Sequence, residues 1–237
     1  MRFPHPLVHG TLIRRYKRFL ADVRLDDGSE VTAHVANSGA MLGTSAPGME
    51  VWLSPANSPT RKLAWSWELC RVDNALIGVN TAWPNLIAAE AVAAGQIPEL
   101  SGYATIRREV KYGQNSRIDL LLEAPGRPTC YVEVKNVHLK RGDWAEFPDA
   151  VTVRGAKHLR ELRDMVAGGS RAVMLYLVQR EDCIGFRPAA DIDPAYAEGL
   201  RAAMGDGVEA ICYTCAMTLE GITIKGRLPI QADSPRN

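Results

Sequence analysis

The chain is predicted to fold as a mixed α/β protein in two parts. A small N-terminal β-barrel precedes a mixed sheet flanked by helices. Two observations lead there. Up to residue 81, short runs rich in β-branched and aromatic residues alternate with turn signals. From Asn80 onward, strand-like runs are interleaved with helical ones.

In the first part, residues 7–16, 19–25, 30–35, 50–53, 63–72 and 75–79 read as strands. Asp26-Asp27-Gly28, Asn37-Ser38-Gly39, Pro47-Gly48 and Asn57-Ser58-Pro59 separate them as turns. Many short strands in so little chain suit a barrel of the OB type, and other small barrels fit equally well. The boundary is set between residues 81 and 82. Residues 83–94 then read as a helix, with Pro84 early and Gly95 as the stop. Strands are expected at 105–111, 117–123 and 130–137. A helix at 152–166, ended by Gly168-Gly169, leads to a buried strand at 171–179, a helix at 194–204 and a strand at 208–216. The tail after Leu228 reads as loose.

Composition narrows the function. Of 237 residues, 28 are Lys or Arg and 27 Asp or Glu, a net charge of +1. No global field calls for nucleic acid or membrane, so any such binding must arise from local clustering. Hydrophobic residues at 46% and charged residues at 23% exclude a disordered chain. The longest apolar run, 172–178, falls well short of the roughly 18 residues of a membrane span, and no apolar export signal follows Met1. Five cysteines without dense spacing suit a reducing compartment, so a cytoplasmic location and no membrane partner are expected. Cys212 and Cys215 have CxxC spacing but no second pair or nearby His, which argues against zinc.

The chemistry concentrates in Arg117-Ile118-Asp119 and Glu133-Val134-Lys135, on either side of the turn Ala124-Pro125-Gly126-Arg127-Pro128. A hairpin symmetric about Gly126 sets Asp119 opposite Glu133 and Arg117 opposite Lys135, with Cβ atoms about 4.5–5.5 Å apart. Alternation then places these four on one face and Ile118, Leu120, Leu122, Val132 and Val134 on the core face. Two carboxylates so close repel each other, so one is protonated or a cation lies between them. Mg²⁺ or Mn²⁺ fits, keeping positions open for water and phosphate, and Lys135 can position the attacking water. The alternative is an exposed hairpin face with paired charges. Glu90 falls on the apolar helix face with Leu86, Ile87, Ala91 and Ala94. A buried carboxylate there needs a buried Arg or a metal, so Glu90 is a third candidate metal ligand.

Two basic clusters could serve nucleic acid. Arg154, Lys157 and His158 lie on the helix at 152–166, beside a core face of Ala156, Leu159, Leu162 and Val166. They fit contacts to a scissile phosphate and equally a solvated face, with Lys157 and Glu161 as an ordinary i,i+4 pair. Arg14, Arg15, Lys17 and Arg18 surround Tyr16 and precede Phe19. OB-type surfaces hold single strands with such a mixture, and a strand with a solvated basic edge carries it too. Trp52, Trp65 and Trp67 read as core rather than as a stacking platform.

These residues, in this order, resemble the sugar fermentation stimulation protein family over nearly the whole chain. The likeness runs through Arg15-Tyr16-Lys17-Arg18-Phe19-Leu20-Ala21-Asp22-Val23, Asn37-Ser38-Gly39-Ala40-Met41 and Ser116-Arg117-Ile118-Asp119. It continues in Tyr131-Val132-Glu133-Val134-Lys135, Phe147-Pro148-Asp149-Ala150-Val151 and Lys157-His158-Leu159-Arg160-Glu161-Leu162. The resemblance implies an OB-like domain at 1–81 and a restriction-endonuclease-like domain at 82–237. Asp119, Glu133 and Lys135 match that superfamily's PD-(D/E)xK pattern, with Ile118 in place of its proline, and Glu90 matches the acid of its first helix. The resemblance also implies DNA binding and a suggested regulatory role in sugar (maltose) metabolism. The expected function is a DNA-binding protein of little sequence specificity with a Mg²⁺- or Mn²⁺-dependent phosphodiesterase site. Two other readings fit: a DNA-binding regulator that keeps the site as a relic, and an OB-type module for a saccharide or protein.

Overall fold

The computed structural model describes residues 1–56 and 61–232. The turn expected at Asn57-Ser58-Pro59 lies outside the described residues.

Six strands form the N-terminal part: β1 (Val8–Tyr16), β2 (Leu20–Leu25), β3 (Glu30–His34), β4 (Glu50–Pro55), β5 (Trp65–Val72) and β6 (Ala75–Gly78). Their order is β3-β2-β1-β4-β5-β6, and a parallel pairing of β3 with β5 closes the first five into an OB-like barrel. Alternate residues point inward. Leu12, Val23, Ala33, Val51, Leu53, Trp67 and Ile77 fill the barrel, and the Trp67 indole donates to Leu69 O at 2.8 Å.

The second part begins with α1 (Pro84–Ala93) and a 3₁₀ turn at Pro98–Leu100. Then come β7 (Thr105–Tyr112), β8 (Ser116–Glu123), β9 (Cys130–Val137), β10 (Leu139–Arg141), β11 (Trp144–Phe147) and α2 (Val153–Ala167). The chain ends with β12 (Arg171–Val178), β13 (Gly185–Pro188), α3 (Pro194–Gly205), β14 (Glu209–Met217) and β15 (Ile222–Arg227). The main sheet has the order β15-β14-β12-β9-β8-β7. Its centre, β9, β12 and β14, is parallel, as befits strands covered on both faces. One face packs with α1 around Leu120, Leu122, Val132 and Leu175. The other packs under α2 and α3 around Leu121, Met174, Leu159 and Leu200.

Several short elements escape the sequence. β10, β11 and β13 form a separate three-stranded sheet, too short to carry an alternation signal. β15, at the sheet's edge, buries only Ile222 and otherwise alternates exposed with half-buried residues. The tail expected to be loose is docked as far as Gln231: Leu228 N–H donates to Cys212 O, and Gln231 N–H to Phe186 O. At the other end, Arg2 bridges to Gly221 and Phe3 N–H donates to Glu220 O, so the first residues lie on the second part's sheet rather than on the barrel.

The two parts share a buried joint. Glu68 of β5 is buried and accepts from Ser54 Oγ at 2.6 Å, Asn80 Nδ2 at 2.8 Å and Trp83 Nε1 at 2.5 Å. Trp83 is the residue from which α1 starts. The five cysteines are free and buried, with Cys212 and Cys215 packed into clusters on opposite faces of the sheet. Among the described residues no helix is long and apolar enough to cross a membrane.

Candidate functional site

The site forms where β8 and β9 part. Their ladder pairs Leu122 with Cys130, Leu121 with Tyr131 and Leu120 with Val132. That register is symmetric about Gly126 and would make Asp119 and Glu133 the next pair. The ladder stops there, and Asp119 Oδ2 instead accepts the Val134 N–H at 2.7 Å.

The cause of the opening lies one strand outward. Glu109, in the middle of β7, has a φ of 53°, a left-handed conformation rare for a residue with a side chain. The β7–β8 ladder skips from Arg108–Leu120 to Val110–Ile118, passing over Glu109 and Asp119. Side-chain alternation reverses across this step. Ile106, Leu120 and Leu122 pack on the α1 side, whereas Val110, Tyr112 and Ile118 pack under α2. Two expectations are corrected in consequence. Ile118 does not share a face with Leu120, and Arg117 does not oppose Lys135 but stands exposed opposite Lys111. Nor is the carboxylate face an open one, since helices cover both sides of the sheet.

Asp119 is held from α1. Asn85 Nδ2 donates to Asp119 Oδ1 at 2.6 Å and to Glu109 Oε1 at 2.9 Å. Glu133, on β9, is buried. Its Oε1 accepts from Lys135 Nζ at 2.7 Å and pairs with His158 Nδ1. Arg154 Nε donates to His158 Nε2 at 3.3 Å, which makes Nδ1 the protonated ring nitrogen facing Glu133. Glu133 Oε2 is buried and without a partner among the described residues. Burial and the neighbouring Glu133 push the Asp119 carboxyl up to about 7, against the hydrogen bond from Val134. Burial also raises Glu133, but Lys135 and His158 outweigh it and hold that carboxyl below its ordinary value.

The two carboxylates line an open cavity of about 370 Å³ to which both parts of the chain contribute. Lys135, Arg154 and His158 line it from the sheet and α2, Asn85 from α1, and Asn37, Ser38 and Gly39 from the barrel. The barrel loop is pinned. Arg15 donates to Asn37 O, Gly39 O and Ala40 O at 2.9–3.1 Å. Asp149, in the segment after β11, accepts the Met41 N–H at 2.7 Å. Gly39 is required here, because a Cβ would run into the Asp149 carboxylate. His138 Nε2 lies 3.2 Å from Asp149 Oδ2, and the pair with His138 and the Met41 N–H hold the Asp149 carboxyl low despite its burial.

Other expected residues fall elsewhere. Glu90 is 51% exposed and its Oε2 lies 2.8 Å from the Met1 amino group. The helix is apolar nearly all round, so its sequence does not mark the face that meets the sheet; Ile87, Ala88, Ala91 and Val92 do. His158 is buried against Glu133 rather than displayed on a solvated stripe. Lys157 turns to Gln114 O at 2.7 Å, outside the cavity. Arg15 is committed to loop carbonyls and to Arg18 O, and Arg14 pairs with Asp22 at 2.8 Å. Lys17 and Arg18, both at positive φ in the β1–β2 turn, are exposed. Asn85, Asn136 and His138 are lining residues that sequence reasoning did not single out; Asn37 entered as a turn residue and within a motif of the family resemblance, and Asp149 only within such a motif.

A hard divalent cation fits this donor set. Both candidate ligands are carboxylates, their proximity raises the Asp119 carboxyl, and the buried Glu133 Oε2 has no other partner among the described residues. Among the described residues no further His, Cys, Asp or Glu completes a cage. Water and substrate oxygens would supply the remaining positions.

Comparison with known proteins is consistent along the chain. The family model for the SfsA N-terminal OB domain matches residues 13–79, and that for the sugar fermentation stimulation protein RE domain matches residues 82–221. The chain is 75% identical over 224 residues to the sugar fermentation stimulation protein homolog of Paramagnetospirillum magneticum, covering 94% of this chain and 95% of that one. It is 66% identical over 233 residues to the homolog of Rhodospirillum centenum, covering 98% and 100%. Among solved structures, Pyrococcus furiosus SfsA in complex with Ca²⁺ superposes with a TM-score of 0.89 at 28% identity, over 98% of both chains.

Proposed function

The chain belongs to the sugar fermentation stimulation protein family, an OB-like barrel joined to a restriction-endonuclease-like domain, and from that premise we propose that it binds DNA and hydrolyses phosphodiester bonds with a divalent metal. The observation that carries this reading is the meeting of Asp119, Glu133 and Lys135 in one cavity, with Glu133 Oε2 left unpartnered among the described residues. Asp119 and Glu133 would hold Mg²⁺ or Mn²⁺. The Ca²⁺ complex of the Pyrococcus relative supports a hard cation. When bound, such an ion lowers the pKa of a coordinated water and offsets charge on a phosphoryl oxygen.

The chain's own residues do the rest. Lys135 Nζ, tied to Glu133 Oε1, keeps further protons for an attacking water or a phosphoryl oxygen. His158 occupies the same Oε1 and so leaves Oε2 for the ion. Arg154, fixed through Nε, can offer its terminal nitrogens to a phosphate. Exposed Lys17 and Arg18 add charge near the loop that lines the cavity.

The test is incubation of single-stranded, duplex and branched DNA with Mg²⁺, Mn²⁺ or EDTA. Cleavage that needs the metal and is lost in Glu133→Gln supports the reading. DNA retention without cleavage of any form identifies a binding protein that keeps the site without its chemistry. Failure to bind any DNA overturns the reading and leaves the OB-type module.

A further inference from the structure

The metal-dependent reading uses one end of the cavity. The other end, past Lys135 along β9, carries polar groups that this chemistry leaves idle. Gln179 Nε2 donates to Asn136 Oδ1 at 2.6 Å, which orients the Asn136 amide and leaves its Nδ2 buried with no partner among the described residues. His138, two residues on, is 5% exposed. Its Nε2 lies 3.2 Å from Asp149 Oδ2, and neither ring nitrogen has a hydrogen-bond partner among the described residues. Both residues line the cavity that holds Asp119 and Glu133. Buried polar atoms without partners are uncommon in folded proteins, and each is expected to meet a ligand or an ordered water.

With the His138 ring proton on Nε2, toward Asp149, the pair offers one donor, Asn136 Nδ2, and one acceptor, His138 Nδ1. A phosphate offers only acceptors at neutral pH and would leave the His138 lone pair unmatched. A nucleobase edge offers both. Pro148, Ala150 and Val151 add apolar surface to the lining beside the Asn37–Gly39 loop. Val151 is 71% exposed at the cavity's rim. From Glu133 to Asn136 is three residues of strand, about 10 Å. That is the scale of the reach from a phosphate to the far edge of a nearby base. A cavity of about 370 Å³ takes one such unit, and a base reaches polar atoms inside it by leaving the stack.

We propose that Asn136 and His138, under the Asn37–Gly39 loop, form a subsite for one unpaired nucleobase of the strand whose phosphate lies at Asp119 and Glu133. The subsite rests on the nucleic-acid reading above. It adds that the substrate presents an unpaired base at the site, as a single strand, a strand end or an extruded nucleotide.

The experiment measures binding of the full chain in Ca²⁺ to three fluorescent oligonucleotides: a mixed-sequence single strand, the same strand made wholly of abasic residues, and its blunt perfect duplex. The single strand is expected to bind about tenfold more tightly than the abasic strand, the scale of one base contact. Asn136→Ala is expected to bring the two within about twofold, leaving abasic affinity unchanged. Because that variant also loses the Gln179 contact, Ser38→Trp provides a second probe. It fills the cavity from an exposed position and is expected to have the same effect. Equal wild-type affinity for intact and abasic strands overturns the subsite and leaves DNA binding standing. A base preference that survives in both variants also overturns it. Absence of binding to all three oligonucleotides overturns the nucleic-acid reading and the subsite together.

Discussion

Replacing Asp119 with Asn should stabilise the metal-free protein at alkaline pH and destabilise it at acid pH. The Asp119 carboxyl is pushed from its ordinary 3.8 up to about 7, first by burial and then by Glu133. The folded protein therefore holds this proton more tightly than the unfolded chain does. The stability this confers is full below about pH 4 and is lost as pH rises through about 7, a change of about 4 kcal/mol at about 1.4 kcal/mol per unit. About 2 kcal/mol of it is already gone at pH 5 and nearly all at pH 8.5. The introduced amide carries no charge but one carbonyl, so it can accept from Val134 N–H or Asn85 Nδ2 and leaves the other unmatched, at about 1–3 kcal/mol regardless of pH. Measured against wild type by urea unfolding in EDTA, the variant's relative stability should improve by about 2–3 kcal/mol between pH 5 and pH 8.5. Adding Ca²⁺ at about 100 times its dissociation constant should restore about 3 kcal/mol to wild type and nothing to the variant. A stability difference that does not move with pH would refute the crowded-carboxylate argument.

Lys135→Ala should retain Ca²⁺ binding by calorimetry while slowing Mg²⁺-dependent cleavage about 10²–10⁴-fold; loss of Ca²⁺ affinity would mean that the lysine holds the site together instead. Glu90→Gln should leave divalent-ion affinity unchanged, and a loss beyond about tenfold would return Glu90 to the metal site. Arg15→Ala should cost about 2 kcal/mol in chemical denaturation, because three carbonyls of the covering loop lose their donor, yet leave the salt dependence of DNA binding unchanged. Replacing exposed Lys17 and Arg18 together should instead reduce the slope of log K against log salt by about 1–2, and an unchanged slope would remove the β1–β2 turn from the DNA interface.

The carboxylate pair could be read from sequence because a short turn at Gly126 sets the hairpin's symmetry and both flanks are apolar. What lay beyond that pair depended on Glu109. A left-handed residue inside β7 leaves no mark in a polar stretch such as Arg107-Arg108-Glu109, yet it turns Ile118 and Arg117 to the faces opposite those expected. Glu90 was misplaced because α1 has no polar side to orient it. The residue of α1 that reaches Asp119 is Asn85, in its first turn. The barrel's strands were legible from their turn residues, whereas the covering loop was not, since the groups that fix it, Arg15 and Asp149, are far apart in the chain.

The Glu68 joint bears on how this protein could be taken apart. Glu68 grips Asn80 and Trp83 from inside the barrel's wall, and Asn85, two residues past Trp83, holds Asp119. Residues 80–85 thus act as a short lever, with its fulcrum in one half and its tip on a carboxylate of the other. A chimera that pairs this C-terminal half with a relative's barrel inherits a working tip only if the donor brings a carboxylate at the Glu68 position and room for the Trp83 indole. Recombination at residue 81 cuts through the lever itself, and exchange points before Glu68 or after Asn85 leave it whole.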